Sequence, residues 1–320
     1  MDVFRFFVPG LCLVQARPLL CFGLLYGKVR IELREEDMLK ILVGVNKDEE
    51  SQLALRYACH LLEHFPAEVD ALYVKPDVVE MVREGAYAPF TTRSDIEREV
   101  EQEAKKVVEE IFEACEVCLG GKVPCRARVA VGDPAEEILR EADEGQYDFI
   151  VLGGPSRSTL RGLLLGAVHN KVLLYAKQPV FIVRNYREIK RLLVAYRGSS
   201  CDQGALEFIG PLFAKRKPEI TIMHVQETER GESAEFAETC VLVGRETLRR
   251  LGFEPLVKIA KGDFEEEILK EVAVGRYDLV VLGAYGHKHP RYLPVISDEA
   301  LNLARLTTRP VLVFRDIRPG

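Results

Sequence analysis

Gly145-Gln-Tyr-Asp-Phe-Ile-Val-Leu-Gly153 returns 130 positions later as Gly275-Arg-Tyr-Asp-Leu-Val-Val-Leu-Gly283. Each copy closes a short aliphatic run with a glycine, the profile of a strand buried on both faces. Upstream, Gly132-Asp-Pro-Ala-Glu-Glu-Ile-Leu139 is matched at the same interval by Gly262-Asp-Phe-Glu-Glu-Glu-Ile-Leu269. That interval far exceeds a solenoid unit, so the chain reads as a duplicated domain.

Working outward, apolar runs alternate with amphipathic stretches in both halves, the pattern of βαβ units around a parallel sheet. Runs at 39–45, 69–74, 125–131, 148–153 and 179–184 predict five strands in the first half, and 189–196, 219–225, 255–260, 278–283 and 310–315 predict five in the second. Ser51–His64, Asp95–Cys118 and Glu265–Val274 predict helices. The first strands end at Asn46 and Arg197, 151 apart, and the second at Val74 and Val225, also 151 apart. The first half therefore carries about 21 extra residues between Lys75 and Gly132, expected in Pro76–Ser94 and in a longer helix from Asp95. The mixed charges of that helix read as a solvated face with intrahelical ion pairs.

At 320 residues, with 48% hydrophobic and 29% charged side chains, the chain fits two soluble globular domains. A net charge of −6 argues against a nucleic-acid face. No stretch after residue 38 approaches a membrane span. Eight cysteines are too few for a disulfide scaffold, so a reduced, cytoplasmic setting is expected. The expected organisation is a leader over 1–37, a first domain over 38–186 and a second over 187–320. The leader makes a poor signal peptide, because Asp2 lies in its n-region and Pro9, Gln15 and Pro18 break its apolar run. Two readings of it stay open: translation starting at Met38, or an added hairpin or membrane-surface anchor.

The richest chemistry follows the fourth strand, in Gly153-Gly-Pro-Ser-Arg-Ser-Thr-Leu-Arg-Gly-Leu-Leu-Leu-Gly166-Ala-Val-His-Asn. Glycines at a strand end and again at a helix start let backbone N–H groups approach a phosphate, and the helix N-terminus adds partial positive charge. Such a site lies past the carboxyl ends of the strands, where open α/β sheets take ligands. No Gly-Lys-Ser/Thr follows, so this is not a P-loop.

Here the resemblance becomes specific. Over residues 38–317 each half resembles a universal stress protein domain. The opening strand Leu39-Lys-Ile-Leu-Val-Gly-Val45 is similar to that family's "ILVAVDGS", Gly132-Asp-Pro to its turn before a helix, and Pro179-Val-Phe-Ile-Val183 and Pro310-Val-Leu-Val-Phe314 to its final strand. The resemblance implies a Rossmann-like α/β fold of the adenine nucleotide alpha hydrolase type. Each half would form a five-stranded parallel sheet in order 3-2-1-4-5, flanked by helices and often dimerised through the last strand. Some members bind ATP through Gly-x-x-Gly, nine residues, then Gly-Ser/Thr; others lack this loop and bind no nucleotide.

Carried onto this chain, the resemblance implies ligand contacts at Val45, Asn46, Val74, Val131, Gly132, Gly153, Ser156, Arg157, Gly166, Ala167 and Val168 in the first half. In the second it implies Arg197, Val225, Gly283, Gly286, His287 and Ser297. Neither loop is whole. Ser156 replaces the second glycine and Ala167 the hydroxyl residue, which removes a phosphate hydrogen bond worth about 0.5–1.5 kcal/mol. In the second half, nine-residue spacing puts Ile296 in the glycine place. If the one extra residue there precedes Ile296, Ser297 takes that place and Asp298 the hydroxyl place. Nucleotide-binding members commonly carry Asp at the end of the first strand, where this chain has Asn46 and Arg197. Asn46 can hydrogen-bond a ribose but brings no charge to a metal, so Mg2+ is left open. Arg197 suits a phosphate or a local carboxylate.

Smaller signals read blandly. His287, Lys288, His289 and Arg291 suit an exposed polar loop, and His169 and Asn170 begin a helix where capping explains them. Cys115-x-x-Cys118 with Cys125 outlines metal or redox chemistry, but it lacks a fourth ligand and falls at a helix end, where a thiolate is not stabilised. Cys59 and Cys240 read as packing. Catalytic residues are not expected, and ATP hydrolysis would be slow at most. The expectation is a cytoplasmic stress-response protein whose two domains pack as a pseudo-dimer, binding ATP or a related adenine nucleotide in at least one half, with the first favoured. Homodimerisation and an unidentified protein partner are further expectations. The alternative is a nucleotide-free dimerisation and partner-docking module, motivated by Ser156, Ala167 and Ile296.

Overall fold

The computed structural model describes residues 38–62, 65–85, 91–119, 123–154, 165–285 and 296–315. All belong to one compact unit, Leu33–Gly320. The leader, and with it both readings of it, lies outside the described residues.

The first half runs β1 (Leu39–Val45), α1 (Glu49–Leu62), β2 (Ala67–Lys75), α2 (Val78–Glu84), α3 (Arg93–Leu119), β3 (Cys125–Val131), α4 (Pro134–Glu144), β4 (Phe149–Gly153), α5 (Ala167–Tyr175) and β5 (Val180–Val183). The second runs β6 (Arg191–Ala195), α6 (Ser200–Phe213), β7 (Glu219–Gln226), α7 (Ala234–Arg250), β8 (Leu256–Lys261), α8 (Phe264–Val274), β9 (Leu279–Gly283), α9 (Asp298–Leu306) and β10 (Val311–Phe314). Every strand and helix expected from the sequence is present within two residues at either end. The extra segment of the first half supplies α2 and a 27-residue α3, where the second half has a 3-10 turn at Thr228–Arg230 and a 17-residue α7.

The strands form one ten-stranded sheet in order β3-β2-β1-β4-β5-β10-β9-β6-β7-β8. Each half thus has the order 3-2-1-4-5, parallel throughout. The halves meet where β5 and β10 pair antiparallel, with Phe181 opposite Leu312. β1, β4, β5 and their counterparts are buried at consecutive positions, as strands covered on both faces must be. The core runs through the joint: Phe149 of β4 packs on Phe181 at 5.2 Å and on Phe208 of α6 at 5.9 Å, and Phe208 packs on Phe314 at 5.6 Å.

The repeated segments turn out to be structural. Gly132 and Gly262 leave their strands at φ +140° and +142°, a region that favours glycine, and the next residues, Asp133 and Asp263, cap α4 and α8. At Gly145 and Gly275 a Cβ would lie 2.2 and 2.1 Å from the rings of Tyr147 and Tyr277, which fold back over the glycine. Asp148 then accepts the N–H of Lys40 at 2.7 Å, and Asp278 those of Lys190 and Arg191 at 3.0 Å, tying each fourth strand to the start of the first. These repeats therefore specify the turns and strand ties of the sheet.

Cys115, near the end of α3, is joined to Cys125, at the start of β3, as a disulfide, a pairing the sequence reading does not anticipate. The side chain of Cys118 lies outside the described residues. Cys59 and Cys240 are buried, as expected for packing residues. Among the described residues, no helix is long and apolar enough to cross a membrane.

Candidate functional site

At the carboxyl edge of the first half, the ends of β1 and β4 converge with the start of α5. Gly166 is the N-cap of α5, in extended conformation with φ −68° and ψ 175°, and no side chain among the described residues caps it. Gly166 and Ala167 are exposed, so the orphan N–H groups of the first turn open onto the edge. His169 packs behind them, with Nε2 2.6 Å from the carbonyl oxygen of Gly153. A carbonyl only accepts, so Nε2 carries the proton and Nδ1 holds a lone pair, which has no hydrogen-bond partner among the described residues. Burial, aided by the Arg184 guanidinium, holds the imidazole below its ordinary pKa against the pull of the Gly153 carbonyl.

Asn46 is exposed at the end of β1. Its Oδ1 accepts the Asp48 N–H at 2.9 Å and the Ser51 hydroxyl, and its Nδ2 donates to Asp48 at 2.8 Å. In this conformation the side chain serves the entrance of α1. Val45 is buried, Val74 and Val168 half-buried, and Val131 exposed beside Gly132. Lys171, in the second turn of α5, pairs with Asp133 at 3.2 Å and Glu136 at 2.8 Å. Ser156 and Arg157 lie outside the described residues.

The same edge of the second half is filled. Arg197, at the end of β6, is only 11% exposed and crosses from the first strand to the fourth. Its Nη2 donates to the Gly283 carbonyl at 2.6 Å, its Nη1 to the Ser297 hydroxyl at 3.4 Å, and its guanidinium lies 4.9 Å from the ring centroid of Phe264. Asp202, fully buried, sits 3.8 Å from Nη2 and accepts the backbone N–H groups of Arg197 and Ser199 at 3.0 and 3.1 Å. A Cβ on Gly283 would meet Asp202 Oδ1 at 2.2 Å, so this glycine makes room for the carboxylate. Of the two partners left open for Arg197, the local carboxylate is present, joined by Gly283 and Ser297.

α9 begins at Asp298, with Ser297 as its N-cap accepting the Ala300 N–H. Ser297 lies 131 residues after Gly166, so the extra residue precedes Ile296 and Ser297 stands in the glycine place. Val225 is buried, and Gly286 and His287 lie outside the described residues. Where the first half presents Ala135, Ala167 and Val168, the second presents Glu265, Asp298 and Glu299. Burial pushes the carboxyls of Glu227 and Glu265 up, and neighbouring acids push the same way. For Glu299, burial is outweighed by its own N–H, the Ser297 hydroxyl and Arg197, so its carboxyl is held down. Among the described residues, no group of three or more His, Cys, Asp or Glu is placed to hold a metal ion.

Three residues that motif reading misses come from across the joint. Arg315, following β10, donates to the carbonyls of Leu173 and Leu174 at the end of α5, and Arg305 donates to Asn170 within α5. Arg184, following β5, does for α9 what Arg315 does for α5. A signal for two of them exists: Val183-Arg184 and Phe314-Arg315 end their final strands at the same 131-residue interval.

The comparisons with known proteins agree with this architecture. The universal stress protein family matches residues 38–184 and again 188–315. The chain is similar to universal stress protein YxiE of Bacillus subtilis, 33% identical over 148 residues, which cover 45% of this chain and 98% of that protein. It is also similar to universal stress protein MJ0531 of Methanocaldococcus jannaschii, 32% identical over 145 residues, 45% of this chain and 81% of that one. Among solved structures, a universal stress protein of Archaeoglobus fulgidus superposes with TM-score 0.67 at 23% identity, over 86% of this chain and 98% of that chain, a likeness of fold. The matched segments tile the two halves of the ten-stranded sheet, and the chain belongs to the universal stress protein family, as a member with two such domains in tandem.

Proposed function

We propose that this protein is a cytoplasmic, stress-responsive binding protein that takes one molecule of ATP or a related adenine nucleotide, at the carboxyl edge of its first half. The observation that carries this reading is the contrast between two helix starts. The N-terminus of α5 follows Gly166 and has no side-chain cap among the described residues, whereas that of α9 is capped by Ser297 and crossed by Arg197. An uncapped N-terminus beside the end of a central parallel strand suits a phosphate, because backbone donors and partial positive charge point to one place. In the second half, Asp298 and Glu299 stand in the first turn of α9, where a phosphate would meet like charge.

In the first half, the N–H groups after Gly166 would hold phosphate oxygens, and Asn46, released from Asp48, would reach a ribose hydroxyl. Asp133 and Glu136, at the start of α4, are both paired with Lys171 of α5, which leaves neither poised as a general base. The reading is therefore a binding protein with slow hydrolysis at most. Ligand occupancy would act by stabilising one arrangement of α5 against the rest of the sheet.

The test is photolabelling with an azido-ATP on the full chain, followed by peptide mapping. Saturable labelling confined to residues 38–186, competed by unmodified ATP, is the expected result. Labelling confined to 187–320 would overturn the assignment of halves, and absence of competed labelling would favour the nucleotide-free docking module.

A further inference from the structure

At the end of its first turn, α5 is gripped by the other half of the chain. Arg305, in the last turn of α9, donates from Nε to Asn170 Oδ1 at 2.9 Å. Asn170 Nδ2 in turn donates to the carbonyl oxygen of Leu165 at 3.1 Å. Leu165 immediately precedes Gly166, so its carbonyl helps set the direction in which the chain enters α5. Both bonds are partly buried, where competition from water is reduced.

An amide suits this relay because it accepts at one atom and donates at the other. The guanidinium has no acceptor, so it holds Oδ1 and turns Nδ2 toward Leu165. Arg305 is itself held from the first half, its carbonyl accepting from Arg184 Nη2 at 3.0 Å. The relay is not inherited packing. The symmetry-equivalent position of Asn170 is Leu301 and that of Arg305 is Leu174, so the second half has no counterpart. It exists only in the half whose helix start has no side-chain cap among the described residues.

We propose that Arg305 of the second half is a positioning residue for the nucleotide site of the first, acting through Asn170 on the Leu165 carbonyl and so on the N–H groups that follow Gly166. This rests on the reading of the first half as the nucleotide site. It assigns the tandem arrangement a purpose: the second half completes the first half's site instead of duplicating it.

The experiment compares the full chain with its Arg305→Ala, Asn170→Leu and doubly substituted forms. Two readouts are taken: affinity for a fluorescent ATP analogue, and hydrogen exchange of the Gly166–Lys171 amides without nucleotide. Each single substitution is expected to weaken binding about tenfold and to speed exchange, with no further loss in the double variant. Wild-type affinity in Arg305→Ala would overturn the proposal, as would an equal further loss on adding it to Asn170→Leu, which would mean that Arg305 acts through its charge alone. If the wild-type chain binds no analogue, the function reading fails, and exchange decides the relay by itself: unchanged exchange in both single variants overturns it.

Discussion

Arg184 and Arg315 stand 131 residues apart and reach across the joint in opposite directions, each to the last carbonyls of the other half's post-loop helix. Arg184 Nη2 donates to Ala304 and Arg305 at 2.9 and 3.0 Å; Arg315 Nη2 donates to Leu173 and to Leu174, the latter at 3.1 Å. Both arginines are buried, and burial pulls that of Arg184 down to about 10 and that of Arg315 below its ordinary value. Their charges are stabilised by the negative ends of two helices. Arg184→Met and Arg315→Met should each cost about 2 kcal/mol, since carbonyls are left unpaired at a buried joint. Urea unfolding followed by circular dichroism checks this; a loss under about 0.5 kcal/mol for both would show that the pair is not structural.

Gly145→Ala and Gly275→Ala should destabilise by similar amounts, about 1–3 kcal/mol each, because the new methyl collides with the ring of Tyr147 or Tyr277. The backbone carbonyls of Glu141 and Glu271 lie 2.9 and 2.8 Å from the same point, so moving the ring alone does not relieve the clash. Chemical denaturation of the two variants tests the equivalence as well as the size.

His169 makes stability depend on pH with a definite sign. Its imidazole is held below the ordinary value in the folded chain, chiefly by burial, so the folded state binds the proton less readily than the unfolded one. The folded state is then undisturbed above about pH 6.5 and loses stability as pH falls through that unfolded value. His169→Asn should flatten the decline in thermal midpoint between about pH 7.5 and pH 5.5. An unchanged slope would mean that His169 does not titrate in that window.

Arg197→Ala should cost about 3 kcal/mol, because the fully buried Asp202 loses its cationic neighbour and the Gly283 carbonyl loses a donor. ATP stoichiometry should be unaffected, since the proposed site lies in the other half. Binding measured at a temperature where the variant is fully folded checks both statements.

Much of the fold was legible in the sequence, because strands buried on both faces announce themselves as β-branched runs, and Gly-Asp or Gly-x-Tyr-Asp marks the turns that need them. The candidate site was legible only in outline. Gly166 and the helix after it follow from the glycine spacing, but the role of Arg197 depends on Asp202, five residues on, and on Gly283 and Ser297, brought close by the sheet order. The register of Ser297 was undecided until the N-cap of α9 placed it. Arg305 and Asn170 are 135 positions apart, and only the antiparallel pairing of β5 with β10 brings them together. The Cys115–Cys125 disulfide was likewise hidden, since spacing alone does not say that the end of α3 returns to the start of β3.

The central claim is one nucleotide per chain, in the first half. It is tested most directly by calorimetric titration of ATP into the full chain and into its Gly166→Val and Ser297→Val variants. Gly166 is extended at φ −68°, and among the described residues the nearest neighbour of an added Cβ is His169 Nδ1 at 3.8 Å, so valine fits the backbone while crowding the N–H groups. The account predicts one equivalent bound by the wild-type chain, none by Gly166→Val, and one by Ser297→Val. Two equivalents in the wild type, or binding that survives Gly166→Val and is lost in Ser297→Val, would contradict it.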